Sequence, residues 1–441
     1  MEGTYTDRYD LPLSTTSQVA AAHYIEGIDR ALALNMGSQA SLEAAIAADP
    51  DFALAQVALA RGWQYEGNIP AAQTSKAQAL ASLDGVTRRE RQHVKALARA
   101  IDGDGPGALA LVYEHVQEFP RDAFVLKQAD GPFGLLGFGG SQDRLEQNFA
   151  LLDSVATAYG DDWWFLSAYA FAHNELGRHE EARRLVQRAL ERQPHSGHSA
   201  HTMAHVFFET GDHCGGAEFL TPWLAGFPRQ AQIYGHLTWH LALFELACGH
   251  PERVQTLYEE TLQPAVCPSA PLIRLCDAAA LLWRHDLYGV ERPAGSRQAV
   301  ATLATQAFPR VGITFADVHC ALAYAAAGDT EALAHLVAQL QARLQQGKIP
   351  AGQVVVAVVE GIAAFARGDY ESAVQALAPL ADQVVRIGGS NAQREVVEDT
   401  LLQAYLRAGH LEPMAALLRQ RLTRRPSARD EHWLQHAQTI A

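Results

Sequence analysis

The stretch QPHSGHSAHTMAHVFFE, residues 193 to 209, places His195, His198, His201 and His205 ahead of Glu209. From His198 on, the steps of three, four and four residues return to one face of a helix, which lines up three imidazoles and a carboxylate. GHLTWHLALFE repeats the four-residue step with His236 and His240. Ten of the nineteen histidines fall between His173 and His250, so the set is concentrated in one part of the chain. Three chemistries fit it. Neutral imidazoles with a carboxylate are ligands for zinc or a related divalent metal, here through His201, His205, His236 and His240. HTMAH lacks the Glu directly after the first His that a metallopeptidase helix uses. Imidazoles beside carboxylates also serve metal-free general acid–base catalysis, which is preferred to the metal at this point. The third use is non-catalytic recognition of a ligand in a groove. No nucleophile elbow, P-loop or dinucleotide fingerprint occurs.

Stepping outward to the elements that carry these residues, alternating strand patterns are almost absent and alanine and leucine recur at helical spacing. WWFLSAYAFAHNELGRHEEARRLVQRALERQP, residues 163 to 194, reads as a helix, a turn at Gly177 and a second helix ending at Pro194, the tetratricopeptide pattern. Moved on by the period of that repeat, about 34 residues, Gly177 maps to Gly211, Leu190 to Leu224 and Pro194 to Pro228. Further units turn at Gly249, Gly328, Gly368 and Gly409. The expectation is an all-α, tetratricopeptide-like solenoid of roughly nine to ten helix pairs, one domain over residues 1–441, curled around a central polar cavity. In this register Met203, Ala204 and Phe207 pack behind the helix, leaving His198, His201, His205 and Glu209 toward the groove. Glu175 lies one repeat before Glu209, so the two carboxylates are expected side by side. His236 faces the groove, His240 lies near its edge, and Trp239 between them walls a pocket.

Three segments break the helical pattern. The glycine-dense DGPFGLLGFGGSQDR, Asp130 to Arg144, and ERPAGSR, Glu291 to Arg297, read as loops. In RIGGSNAQRE, Ser390 or Asn391 caps a helix whose N-terminus, preceded by glycines, can hold an anion.

The 441 residues are 48% hydrophobic and 19% charged, ordinary for a globular chain, with a net charge of −14. That charge argues against nucleic acid and anionic membranes as partners. The five cysteines are irregularly spaced with no CxxC, which suggests free, mostly core thiols. With neither a secretory leader nor a transmembrane run in view, the expected location is the cytoplasm.

Several stretches together carry a resemblance. LPLSTTS near Leu11, AADPDF at Ala47, VTRRERQHV at Val86, HTMAHV at His201, GHLTWHLAL at Gly235, FADVH at Phe315 and IGGSNAQRE at Ile387 resemble the tetratricopeptide repeat protein 38 family along the whole chain. The resemblance implies a single curved solenoid and no particular reaction. It highlights His201, His205, His236, His240, Asp317, His319, Ser390, Asn391, Gln393 and Arg394, and also Asp277 and Arg284. The chain departs from the family pattern at Asp130-Gly131, where members carry a His-Asp pair, and near Phe208, where they carry a Glu.

The combined reading is a protein that binds a small molecule or short peptide in a central pocket. As an enzyme it would run hydrolase, lyase or isomerase-type acid–base chemistry without a redox cofactor. His201, His205, His236 and His240 would act on the substrate, Glu175 and Glu209 would tune them, and Asp317 with His319 would form an orienting dyad. His198, Trp239, Asp277, Arg284, Asn391, Gln393 and Arg394 would hold the ligand, Arg394 and Asn391 taking an anionic group. The alternative is a non-catalytic protein-interaction scaffold, the default use of such repeats.

Overall fold

The computed structural model describes residues 5–290 and 294–440. Among these, 23 α-helices accompany one two-stranded hairpin, β1 (Tyr5–Thr6) with β2 (Pro12–Leu13), and short 3-10 and π turns. The helices follow one another as hairpins: α1 (Gln18–Ala33) with α2 (Ser38–Ala48), α3 (Ala53–Tyr65) with α4 (Ile69–Ala81), and α5 (Arg88–Ile101) with α6 (Gly105–Glu118). Two helices, α7 (Ala123–Ala129) and α8 (Arg144–Tyr159), flank the glycine-dense segment. The hairpins then resume with α9 (Trp163–Glu175) and α10 (His179–Arg192), α11 (Gly197–Thr210) and α12 (His213–Ala225), α13 (Gln232–Ala247) and α14 (Pro251–Leu257). Next come α15 (Pro271–Tyr288) with α16 (Ser296–Ala307), α17 (Thr314–Ala327) with α18 (Thr330–Gln345), and α19 (Gln353–Ala366) with α20 (Tyr370–Leu377). The last are α21 (Asn391–Ala408) with α22 (Leu411–Arg424), and α23 (Ala428–Ile440). The chain is an all-α helical-repeat solenoid of the tetratricopeptide type. Of the loop expected at Glu291–Arg297, residues 291–293 lie outside the described part, and Ser296 and Arg297 already belong to α16.

Local chemistry sets the repeat. Asp162 caps α9 by accepting from the Phe165 N–H at 2.9 Å, and Ser196 caps α11 through the Ser199 N–H at 3.1 Å. The turns at Gly177 and Gly211 adopt φ of 77° and 74°, a left-handed conformation that a side chain strains. The inner helices stack in order, α9 on α11, α11 on α13, α13 on α15, α15 on α17 and α17 on α19. They are buried nearly all round, because α21 returns and packs on α11, α15 and α19, covering the concave side. Two glycines let α11 and α12 approach α13. A Cβ on Gly197 would stand 2.8 Å from Ile233, and one on Gly216 would stand 2.6 Å from the Phe244 ring.

The glycine-dense segment is the clasp of this closed superhelix. The Arg144 guanidinium donates to Val385 O at 2.7 Å, and Arg386 donates back to Gly140 O at 2.9 Å. Near the other end, Lys127 reaches Ala31 O at 2.9 Å and the Gly197 N–H reaches Asn35 Oδ1 at 3.2 Å, tying α7 and α11 to the first hairpin. The expected central polar cavity is therefore a packed polar interior. The pocket beside Glu175, lined by Gly131, Arg144, Asn148 and Phe171, has about 10 Å³ of space, enough for one water molecule and not for a peptide.

Candidate metal centre

Helices α11 and α13, neighbours in the stack, bring four imidazoles together. One nitrogen from each of His201, His205, His236 and His240 lies within 4.8 Å of the others. His201 Nε2 is 3.0 Å from His205 Nε2 and 3.1 Å from His236 Nε2. His240 stands 4.5 Å from His205, centroid to centroid, in an edge-on contact. All four are buried, with exposures of 9%, 0%, 4% and 0% in chain order. The i, i+4 spacing puts each pair on one face, and the one-repeat offset between helices puts the faces together.

A proton count shows what this cluster lacks. His236 Nδ1 sits 2.9 Å from the Asp277 carboxylate on α15, so Nδ1 carries the hydrogen and Nε2 presents a lone pair. His201 Nε2 faces two nitrogens and can offer them a single hydrogen. Both ring nitrogens of His240 and the Nδ1 of His205 are buried with no partner. Protein polar groups buried this way normally find a ligand, water or ion. Burial first, then repulsion from His205, His236, His240 and His198, holds His201 well below the usual imidazole range. His205 and His240 are lowered well below it by the same leading cause. Burial pushes Asp277 up, and His236 beside it pulls it back. Neutral imidazoles with converging Nε2 atoms, one held by a carboxylate from behind, form the donor set of a carboxylate–histidine–metal triad. Metal–nitrogen bonds of 2.0–2.1 Å in a tetrahedron imply nitrogens about 3.3 Å apart, a few tenths beyond the observed contacts. Phe171 and Trp239 wall the cluster. Phe171 contacts His205 edge-on at 4.8 Å, and Trp239, fully buried, stacks on His236 at 5.3 Å and 11°.

The other residues expected at the site divide. Glu175 and Glu209 do not tune the imidazoles. Glu175 accepts from the Asn391 N–H at 3.1 Å and pairs with Arg394 at 3.6 Å, while Glu209 lies 4.0 Å from Arg425. Arginines on and after α21 reach these carboxylates because α21 fills the concave face. The helix N-terminus expected to take an anion thus already holds one, Glu175. Arg394 spends its other donors on Gly389 O and Asn391 Oδ1. Gln393 closes a capping box with Ser390, so Ser390 is the cap. Asp317 and His319 are not a dyad. Two residues apart on a helix they point in nearly opposite directions. Asp317 accepts from the Gly312 N–H at 3.1 Å, and His319 Nδ1 donates to Phe315 O at 2.7 Å. Burial pushes Asp317 up to about 7 and His319 down to about 4. Arg284 donates to Ala392 O at 2.9 Å, faces Asp399 at 3.5 Å and sits 5.9 Å from the Trp239 ring. His198 lies outside the tetrad, lowered to about 3 by burial and then by Lys127.

Asp277 is the residue whose part changed most, from ligand-holding group to the carboxylate behind His236. Phe171 was not singled out by the sequence, although it sits one helix back at the level of the histidines. A second buried histidine cluster, His93 and His115 around Asp122, also went unnoticed there; Asp122 accepts from His93 Nδ1 at 3.0 Å, His115 Nε2 at 3.1 Å and Arg89 at 2.8 Å.

No protein-family model matches the chain. Among solved structures, the chain is similar to human IFIT1 in its dimer with m7Gppp-AAAA, at 12% identity and a TM-score of 0.43, over 98% of this chain and 94% of that one. It is also similar to yeast Tom70, at 11% identity and a TM-score of 0.36, over 95% of this chain and 86% of that one. The class rests on the helix pairing described above. Among the described residues, no helix is long and apolar enough to cross a membrane.

Proposed function

We propose that this chain is a helical-repeat metal-binding protein, a bacterial member of the tetratricopeptide repeat protein 38 family, in which His201, His205, His236 and His240 hold one divalent transition metal. The carrying observation is the approach of three Nε2 atoms at 3.0 and 3.1 Å in a buried cluster that one hydrogen cannot satisfy. Zinc is the natural occupant, because imidazole suits it and four protein ligands close its tetrahedral shell. Asp277 orients His236 and raises its basicity toward the metal. This role fits better than metal-free acid–base catalysis. Imidazoles held well below 6.5 carry no second proton to donate as acids near neutral pH, and rings this enclosed do not reach a substrate at hydrogen-bond distance.

The test is elemental analysis of purified protein, then titration of chelator-treated protein with zinc against a competing chelator. One equivalent per chain is expected, lost in the His201→Ala and His240→Ala variants. Failure of the folded wild-type protein to take up zinc, cobalt, nickel or copper would remove the reading. A second reading, an interaction scaffold, is favoured by a surface groove of about 370 Å³ between α17, α18 and α19, lined by Leu333, Val337, Glu360 and Arg367. Its test is capture of peptides by the wild-type protein, weakened by Val337→Glu with zinc uptake unchanged.

A further inference from the structure

Cys214 and Cys248 are 34 positions apart, one repeat of the solenoid, and their sulfur atoms stand 2.6 Å from each other. Cys214 lies in the first turn of α12 and is exposed; Cys248 follows the last residue of α13 and is half-buried. The other three cysteines, Cys267, Cys276 and Cys320, are buried. So one pair of thiols is both adjacent and open to solvent. Their position matters as much as their contact. α12 continues directly from α11, which carries His201 and His205, and Cys248 ends α13, which carries His236 and His240. A bond between the two sulfurs would tie together the two repeats that share the imidazole cluster.

From this geometry we infer that Cys214 and Cys248 are a dithiol–disulfide pair that reacts with small disulfides and, once oxidised, staples the α11–α12 hairpin to α13. Cys214, the exposed member, gives up its proton and attacks one sulfur of a small disulfide RSSR. The S–S bond of the oxidant breaks, RS⁻ leaves with the electron pair and takes up a proton as RSH, and Cys214 carries a mixed disulfide. Cys248 then loses its proton and attacks Cys214 Sγ, expelling the second RS⁻. The two cysteines are oxidised by two electrons and RSSR is reduced to two RSH. Burial, then the neighbouring Cys214, pushes the Cys248 thiol up to about 12, so Cys248 is not the first nucleophile; its part in the second step rests on the 2.6 Å approach of the two sulfur atoms. A covalent link across one repeat restricts the unfolded chain and resists separation of adjacent hairpins.

The inference needs no metal, and its primary readout is independent of one. Full-length protein is incubated with oxidised glutathione, excess reagent is removed, and free thiols are counted after denaturation. Two of the five thiols should disappear, with a Cys214–Cys248 linked peptide in the non-reducing digest and full recovery on dithiothreitol treatment. Cys248→Ser should leave a stable glutathione adduct on Cys214, and Cys214→Ser should leave Cys248 largely unmodified. Oxidised wild-type protein should melt a few degrees above reduced protein, a difference missing from both variants. Retention of all five thiols in the folded protein, or a stable glutathione adduct on wild-type Cys214 with Cys248 still free, would overturn the inference.

Discussion

Two buried clusters of histidine and aspartate lie in this molecule, and they are built on opposite principles. Around Asp122, one carboxylate collects His93, His115 and Arg89, and His115 Nδ1 finds Gln92 at 3.0 Å. Apart from His93 Nε2, the ring nitrogens there have partners. The positive charge of Arg89 balances the carboxylate, and Asp122 is held well below the usual carboxylate range although burial alone would raise it. In the tetrad on α11 and α13, four imidazoles share one carboxylate that touches only His236, and three ring nitrogens have no partner. The first cluster is complete as protein. The second is incomplete as protein, and its unpaired nitrogens are what the proposed metal would take up. Both clusters are buried, two histidines in the first and four in the second, and the satisfaction of the ring nitrogens separates scaffold from candidate site.

This contrast can be broken or sharpened by substitution. The largest expected effect is on the complete cluster. Asp122→Ala leaves buried Arg89 with only the more distant Glu90, at 3.9 Å, as counter-charge and should cost about 3 kcal/mol in urea unfolding, with zinc uptake by the remaining folded protein unchanged. His240→Ala should do the reverse. It removes a ring with no hydrogen-bond partner, so the zinc-free protein should lose only the packing of that ring on Trp239 and Phe244, about 2 kcal/mol. The stabilisation of about 2.7 kcal/mol expected for wild-type protein at zinc a hundredfold above Kd should vanish. Asp277→Asn should weaken zinc binding about 10–100-fold while leaving one metal per chain, read by chelator competition.

The next effect is on pH. His201, His205 and His240 lie well below 6.5 in the folded chain and His319 at about 4, whereas in the unfolded chain they titrate near 6.5. Below that value the unfolded chain takes up protons that the folded chain refuses, so these groups remove stability as pH falls from about 6.5 toward their folded values. Urea midpoints of zinc-free protein at pH 7.5, 6 and 5 should show the histidine-dependent fall, reduced in His240→Ala. The smallest effect comes from Glu209, which burial raises to about 8 from 4.5. Its shift has the opposite sign: stability is fully present below 4.5 and is lost as pH rises through 8. Glu209→Gln should therefore match wild type within about 1 kcal/mol near pH 4.5 and exceed it by a growing margin as pH rises to 8, with zinc binding intact.

The sequence carried the repeat almost intact, because Gly177, Gly211 and their successors must occupy left-handed turns and Ala and Leu must fill the faces between. It also carried the pairing of His201 and His205 with His236 and His240, since helical spacing within a repeat and the one-repeat offset between neighbours are both readable as numbers. It did not carry the return of α21 over the concave side. That closure depends on the clasp of Arg144 and Arg386, contacts more than two hundred residues apart in the chain. For the same reason Glu175 and Glu209 read as partners of histidine, when arginines brought back by the closure hold them. Asp277 was recognisable only by resemblance, because its approach to His236 crosses between two repeats of unequal length. The Cys214–Cys248 pair was legible as a one-repeat spacing but hidden by irregular spacing among the five cysteines as a whole.

The central claim is that the tetrad binds a metal. Crystals of the protein grown with zinc and measured on both sides of the zinc absorption edge test it most directly. The account predicts one anomalous peak per chain, about 2.1 Å from a nitrogen of each of His201, His205, His236 and His240, with Asp277 still on the far side of His236. Full zinc loading in solution with the anomalous peak elsewhere, and the four rings bridged only by water, would contradict it.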